Sequence, residues 1–205
     1  MKTKVFIAIL AIFGLTSSVC AQVEGQEDKI KLRAAEKVGQ MNDYIKNMAD
    51  QTKDMDYRNR RKVKALNLFV GKGYEYIEDG VKKDGVQMQV TSKKRKKVGQ
   101  PLMRDYFNHL VGTKLDRLYD NVKIEATEVA DIKVSELRKL DDNLWECTCE
   151  YDQAFEGWRD GRPVYRDITT KRIKCYVLAE LVEGETGDEW EFIILLGDVY
   201  AIKTV

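Results

Sequence analysis

Two textures divide the chain. Between Ile30 and Ile77 apolar positions recur at helical spacing, and from about Tyr119 onward they alternate. In the first stretch Ala34, Val38, Met41, Ile45, Met48, Thr52 and Met55 follow one another in alternating steps of four and three, a heptad-like seam. Its phase nearly continues through Leu66, Phe69, Gly73 and Tyr76. No proline falls here, so the pattern predicts one very long helix, or two helices broken near Asp54 to Asn59, ended by Asp79-Gly80. The seam suits either a second copy or partner helix, or the chain's own domain. Its methionines, being flexible fillers, specify geometry weakly.

Val86 to Thr91 alternates and predicts a short strand, followed by a basic loop from Ser92 to Gly99. Gln100-Pro101 opens a further helix, with Leu102, Tyr106, Phe107, Leu110 and Val111 as its apolar face and Gly112 at its C-cap. Beyond Tyr119, Val122, Ile124, Ala126, Ala130, Ile132 and Val134 share one alternating face, on which Glu128 is the lone charge. Trp145, Cys147, Cys149, Tyr151 and Phe155 alternate with Glu146, Thr148, Glu150 and Asp152, the mark of a half-buried antiparallel strand. Asp160-Gly161 marks a hairpin whose return strand runs Val164 to Leu181. Glu183 to Asp188 is a second turn, and Trp190 to Ala201 is the last strand, its alternation interrupted by Asp198. Helices followed by a meander of strands predict an α+β fold with a curved, mainly antiparallel sheet.

The hairpin register carries the functional expectation. A three-residue loop, Asp160-Gly161-Arg162, sets Cys147 opposite Cys175 and Cys149 opposite Ile173. A two-residue loop would bring Lys174 opposite Cys147 on the apolar face, where burying an ammonium is costly. The first register predicts a Cys147–Cys175 disulfide with Cys149 left over; the alternative is three buried, reduced cysteines. It also makes the inner face apolar at one end and polar towards the tip, through Tyr151, Gln153, Tyr165, Asp167, Thr169 and Lys171. An apolar floor with polar groups at its mouth describes a small-molecule pocket, and Glu128 joins these as a pocket candidate. A carboxylate facing an apolar core can act as acid or base. The competing reading pairs Glu128 or Asp167 with Lys171 or Arg172 in a salt bridge.

Composition narrows the class. With 205 residues, 34% charged and 43% hydrophobic, the chain is globular, of one or two domains. Four cysteines are too few for a disulfide-dense scaffold, and a single histidine, His109, removes sites needing two. His109 lies on the helix beside the apolar stripe, where a lone histidine is more often packed or exposed than catalytic. No nucleophile elbow, Walker loop, dinucleotide fingerprint or zinc-protease motif occurs, so no cofactor or metal is expected.

Met1 to Ala21 has the plan of a secretory signal peptide: Lys2 and Lys4, an apolar run from Val5 to Leu15, and Val19-Cys20-Ala21 before the cut. That implies a periplasmic or secreted protein; lipidation at Cys20 is the alternative, disfavoured by Val19. Charge is uneven. Arg58 to Lys97 holds 13 basic and 4 acidic residues, Asp141 to Asp198 holds 6 basic and 15 acidic. Lys93, Lys94, Arg95, Lys96 and Lys97 form the densest patch, a candidate site for an anionic surface; export argues against nucleic acid.

The stretch YDQAFEGWRDGRPVYRDITTKRIK (Tyr151 to Lys174), followed by EFIILLGDVYA (Glu191 to Ala201), resembles a group of exported, uncharacterised Bacteroidetes proteins with the NTF2-like, or cystatin-like, α+β cone. The resemblance implies a domain over 64–205 preceded by a helical extension over 22–63. Cones of this class serve as isomerase or dehydratase sites, ligand pockets or protein-binding surfaces, so membership selects no activity. The reading is a non-enzymatic binding or assembly module that uses the cone's polar mouth for a ligand, or its first helix or its sheet for self-association. The alternatives are a small isomerase or hydrolase using Asp167 or Glu128 with Tyr151, and an envelope protein reading anionic surfaces through its basic loop.

Overall fold

The computed structural model describes residues 23–94, 97–112, 119–184 and 187–205. The expected signal peptide with Cys20, and Arg95 and Lys96 of the basic patch, lie outside them. The helical stretch is two helices, α1 (Glu27–Ala49) and α2 (Met55–Leu66). Asp50 and Asp54 cause the break. Asp50 accepts from the Thr52 backbone N–H at 3.0 Å and its hydroxyl at 2.7 Å, and Asp54 caps α2 by accepting from the Tyr57 N–H at 2.7 Å. Thr52 and Met55 therefore leave the seam for the surface, while Ala34, Val38, Met41, Ile45 and Met48 are buried. They join the sheet in one hydrophobic core, so the seam is not open to a second copy.

The helix does not reach Ile77. Gly71, Lys72 and Gly73 have φ of 62°, 51° and 83°, left-handed values that stop a right-handed helix. Asp79-Gly80 is instead the two-residue turn, φ 50° and 75°, of a hairpin between β1 (Tyr76–Glu78) and β2 (Val81–Lys83). Val86 to Thr91 is extended, yet forms only single bridges. Gln89 N–H donates to the Val199 carbonyl at 2.8 Å and Val199 N–H to Gln87 at 2.9 Å. With Leu68, which accepts from Leu196 N–H at 2.8 Å, this segment covers the outer edge of the last strand from Leu196 to Val199 and shields that part from edge-to-edge association. The next helix is α3 (Met103–Val111), which buries Met103, Phe107, Leu110 and Val111.

The sheet is built on three long antiparallel strands, β6 (Leu144–Arg159), β7 (Arg162–Gly184) and β8 (Gly187–Thr204). The other edge of β6 is lined by three pieces, β3 (Asn121–Ala126), β4 (Lys133–Val134) and β5 (Arg138–Asp141). A 3-10 turn at Val129–Asp131 separates β3 from β4 and breaks the predicted alternation. As a result Ala130 and Glu128 are exposed, and Glu128 is not an inner-face carboxylate.

The predicted register holds: Cys147 faces Cys175, Cys149 faces Ile173, and Tyr151 faces Lys171. The loop that delivers it differs. Asp160-Gly161 is a two-residue turn with φ 49° and 71°, flanked by Arg159–Arg162 and Trp158–Pro163 pairs. A bulge between Gly157 and Trp158 then absorbs one residue and restores the register from the Gly157–Tyr165 pair onward. Two further bulges, beside Lys171 and Lys174, lie in the β7–β8 pairing. The second lets Asp198 turn from the core and accept from the Gln87 N–H at 2.8 Å. Bulges bend and twist a strand, and the sheet curls around its inner face. The fold is the expected α+β one, with helices packed on a curled, mainly antiparallel sheet.

Candidate functional site

The curled face of β6 and β7 is closed by packing at one end and left open at the other. The open end is a cavity of about 270 Å³ between the sheet, α3 and the Val90–Lys94 loop. It unites five of the seven predicted pocket residues: Gln153, Tyr165, Asp167, Thr169 and Lys171. Alternation places them there, since residues two apart on β7 share a face. Tyr151 is buried just inward on the same face, and its hydroxyl has no hydrogen-bond partner among the described residues. Glu128 lies elsewhere, in a shallower depression of about 1130 Å³ along α1. That depression carries only surface charges; the buried ionisable groups belong to the smaller cavity.

Aromatic rings make the walls. Tyr119, Phe155 and Tyr165 form a mutual cluster with centroids 5.9 to 6.2 Å apart. Tyr106 and His109 project from α3 at a three-residue step, with Leu110 beside them. Sequence reading missed Tyr106, Tyr119 and the Thr91–Ser92 segment, because nothing in a single sequence says which helix or loop closes a sheet. His109, read as packed or exposed, is exposed and lines the mouth. Lys94 stands 4.7 Å over the Tyr165 ring, so Ser92 and Lys94 of the basic loop form part of the cavity's rim.

Three polar groups set the electrostatics. The Tyr165 hydroxyl donates to Asp167 Oδ2 at 2.5 Å, and its own oxygen accepts from the Lys93 N–H at 3.1 Å and lies 3.0 Å from Ser92 Oγ. Burial, and then the Asp167 charge, raise the Tyr165 phenol above its usual range. Asp167, 4% exposed, forms no ion pair among the described residues. The expected partner, Arg172, sits on the opposite face and pairs with Glu150 at 3.0 Å. Lys171, 5% exposed, likewise has no carboxylate within ion-pair distance among the described residues. Its Nζ lies 3.4 Å from Met88 Sδ and 5.9 Å from the Tyr106 ring centroid. Burial lowers its pKa to about 8, against a partial opposing pull from Asp167. Gln153 Nε2 donates to Asn42 Oδ1 at 3.2 Å and ties the cavity wall to α1.

At the packed end Cys147, Cys149 and Cys175 are buried free thiols, with the Cys149 and Cys175 sulfurs 3.6 Å apart. Among the described residues no cluster of three His, Cys, Asp or Glu side chains could hold a metal ion, and no helix is long and apolar enough to cross a membrane.

No protein-family model matches the chain, and no curated protein matches it. Among solved structures, a Novosphingobium aromaticivorans protein named after scytalone dehydratase is similar at 13% identity and a TM-score of 0.38, over 87% of this chain and 88% of that one. A likeness that distant carries no residue, substrate or activity across.

Proposed function

We propose that the protein is an exported binding protein whose cone takes a small, ring-bearing organic ligand with an acceptor group such as a carbonyl or carboxylate. Export rests on the signal-peptide plan of Met1 to Ala21. The observation that carries the ligand reading is the cavity itself. Four aromatic rings wall about 270 Å³, and Gln153, Asp167, Thr169 and Lys171 converge on it. That volume sits just below the ~300 Å³ at which ordinary ligand sites begin, which favours a ligand of one or two rings. Lys94 at the rim would favour an anionic substituent, giving part of the basic patch a role at this mouth. A thermal-shift screen of small aromatic acids, aldehydes and ketones tests the reading. A binder should raise Tm in proportion to its occupancy, and Thr169→Trp, which fills the cavity, should abolish the rise. Equal shifts in that variant would place binding elsewhere.

A second reading, a small isomerase or hydrolase, draws on one observation: Asp167 is a buried carboxylate facing an open cavity with a phenol as its donor and no cation paired to it among the described residues. Glu128 takes no part in it. Incubation of a bound ketone in D2O would test it by NMR. Loss of the proton beside the carbonyl, abolished in Asp167→Asn, would support proton transfer; a retained proton would leave a binding protein.

A further inference from the structure

A buried lysine needs a reason, because an ammonium loses its hydration on entering a protein and is ordinarily recovered by a carboxylate. Lys171 has no such carboxylate within ion-pair distance among the described residues; its hydrogen-bond partner there is a thioether sulfur. Every other group facing it is accounted for. On its own strand Asp167 is engaged by Tyr165. Across the sheet stands Tyr151, with its hydroxyl unpartnered and its phenol held protonated by burial. From α3 come Tyr106, also held protonated by burial, and His109 at the mouth, and from the loop Lys94. Nothing here demands a permanent positive charge, and the side chain lines an open cavity rather than a packed interior. A β7–β8 bulge falls between Thr170 and Lys171, where such irregularities re-aim a side chain.

We propose that Lys171 is an imine-forming lysine, which captures a small aromatic or cyclic aldehyde or ketone held between the Tyr106, Tyr119, Phe155 and Tyr165 rings. The inference rests on the ligand-cavity reading and deepens it. Burial that favours the neutral amine supplies a nucleophile near neutral pH. The nitrogen lone pair forms the C–N bond as the carbonyl π pair moves to oxygen, which takes a proton and becomes a hydroxyl. The nitrogen then gives up one proton, the hydroxyl takes up one proton and leaves as water as the nitrogen lone pair displaces the C–O bond, and the iminium so formed sheds its remaining N–H proton to give the imine. One carbonyl and one amine give one imine and one water, with no redox change. Asp167, on the same strand face, is placed to carry the proton from nitrogen to the departing hydroxyl.

The test is reductive trapping. The purified protein is incubated at pH 7.5 with benzaldehyde and cyanoborohydride, and the labelled lysines are mapped by peptide mass spectrometry. The expected result is a Lys171 peptide heavier by one aldehyde less one oxygen atom, formed at least tenfold faster than on any exposed lysine. The lone pair of a hydrated ammonium is tied up by its proton, whereas burial at Lys171 favours the neutral amine. Benzyl alcohol, which has the ring but no carbonyl, should bind and protect Lys171 from labelling. Labelling confined to surface lysines while benzyl alcohol still binds would overturn the imine and leave the cavity reading standing. Absence of both labelling and alcohol binding would overturn both. Lys171→Arg, which keeps the charge and bulk, should bind benzyl alcohol yet lose the adduct; an undiminished adduct count in that variant would also overturn the proposal.

Discussion

The two ends of one sheet face differ more than the two faces of the sheet do. Trp145, Cys147, Cys149, Ile173, Cys175 and Val177 occupy the same sides of β6 and β7 as Gln153, Asp167, Thr169 and Lys171, only a few pairs further from the hairpin. The first set is sealed in the common core with the α1 seam. The second borders a cavity of about 270 Å³. Alternation decides which side chains point inward and is equally strict at both ends. What differs is the covering. α1 supplies a continuous apolar seam, whereas α3 and the Val90–Lys94 loop supply single rings and a cation. One end thus contributes stability, and the other gives some of it up to keep polar groups in a hollow.

The largest break in this comparison is a truncation at the packed end. Ile173, with no exposed surface, should lose about 2–5 kcal/mol of stability as Ile173→Ala, the range for buried aliphatic truncation. Thr169→Ala, four pairs from the Ile173 level and bordering space already empty, should cost about 1 kcal/mol or less. Urea titrations of both variants would check this; equal losses would mean that the open end is packed as tightly as the closed one.

Lys171→Met should act in the opposite direction. The fall from 10.5 to about 8 corresponds to roughly 3 kcal/mol of penalty for keeping the ammonium buried. Because the folded pKa lies below the unfolded one, the unfolded chain binds more protons between the two values. The penalty is therefore in full force below pH 8 and relieved as pH rises towards 10. The protein should gain stability from pH 8 to 10, and Lys171→Met should be more stable than the parent at pH 7 and lose that slope. A parent profile that is flat or falling across this window would show that the ammonium is solvated.

How much of this could be read from the chain follows from the same comparison. The register was legible because misplacing Lys174 among cysteines is expensive, and the observed Cys147–Cys175 and Tyr151–Lys171 pairs follow from that one constraint. The loop that achieves it was not, since a turn with a bulge and a longer turn give the same pairing downstream. The end of the helical stretch was misplaced because Phe69, Gly73 and Tyr76 keep the helical step by coincidence, whereas Gly71-Lys72-Gly73 and Asp79-Gly80 impose left-handed backbone. Glu128 was misjudged because alternation was carried through a 3-10 turn that resets the faces. The cavity's floor came from one hairpin and was predictable. Its lid, Tyr106, His109 and Tyr119, depends on long-range packing that local pattern does not encode.

Gly157 tests whether the wall opposite Lys171 is held by the strand itself. A methyl added there would stand 2.3 Å from the Tyr119 ring, too close for the ring to stay. Gly157→Ala should cost about 1–3 kcal/mol, typical of overpacking. It should also weaken ligand binding by displacing Tyr119 from its contacts with Phe155 and Tyr165. A lowered Tm with unchanged affinity for a cavity binder would show that Tyr119 is structural only.

The smallest effect should come from the residue next to the most consequential one. Arg172 follows Lys171 in the chain, and alternation turns it to the outer face, where it meets Glu150 at 3.0 Å with both side chains a third or more exposed. Water solvates these charges already, and the pair gains little beyond the entropy lost in fixing two long side chains. Arg172→Met should change stability by less than about 1 kcal/mol, with the difference shrinking further as salt is raised, because exposed charges are screened over roughly 8 Å at physiological ionic strength. The adjacent Lys171→Met should change it by more, with the opposite sign and little dependence on salt, since a desolvation penalty is not relieved by mobile ions that cannot enter. Parallel denaturation curves at low and high salt for the two variants separate the faces. If both variants respond alike to salt, the inner face near the hairpin tip is wet, and the distinction between a sheltered lysine and an exposed arginine on consecutive residues disappears.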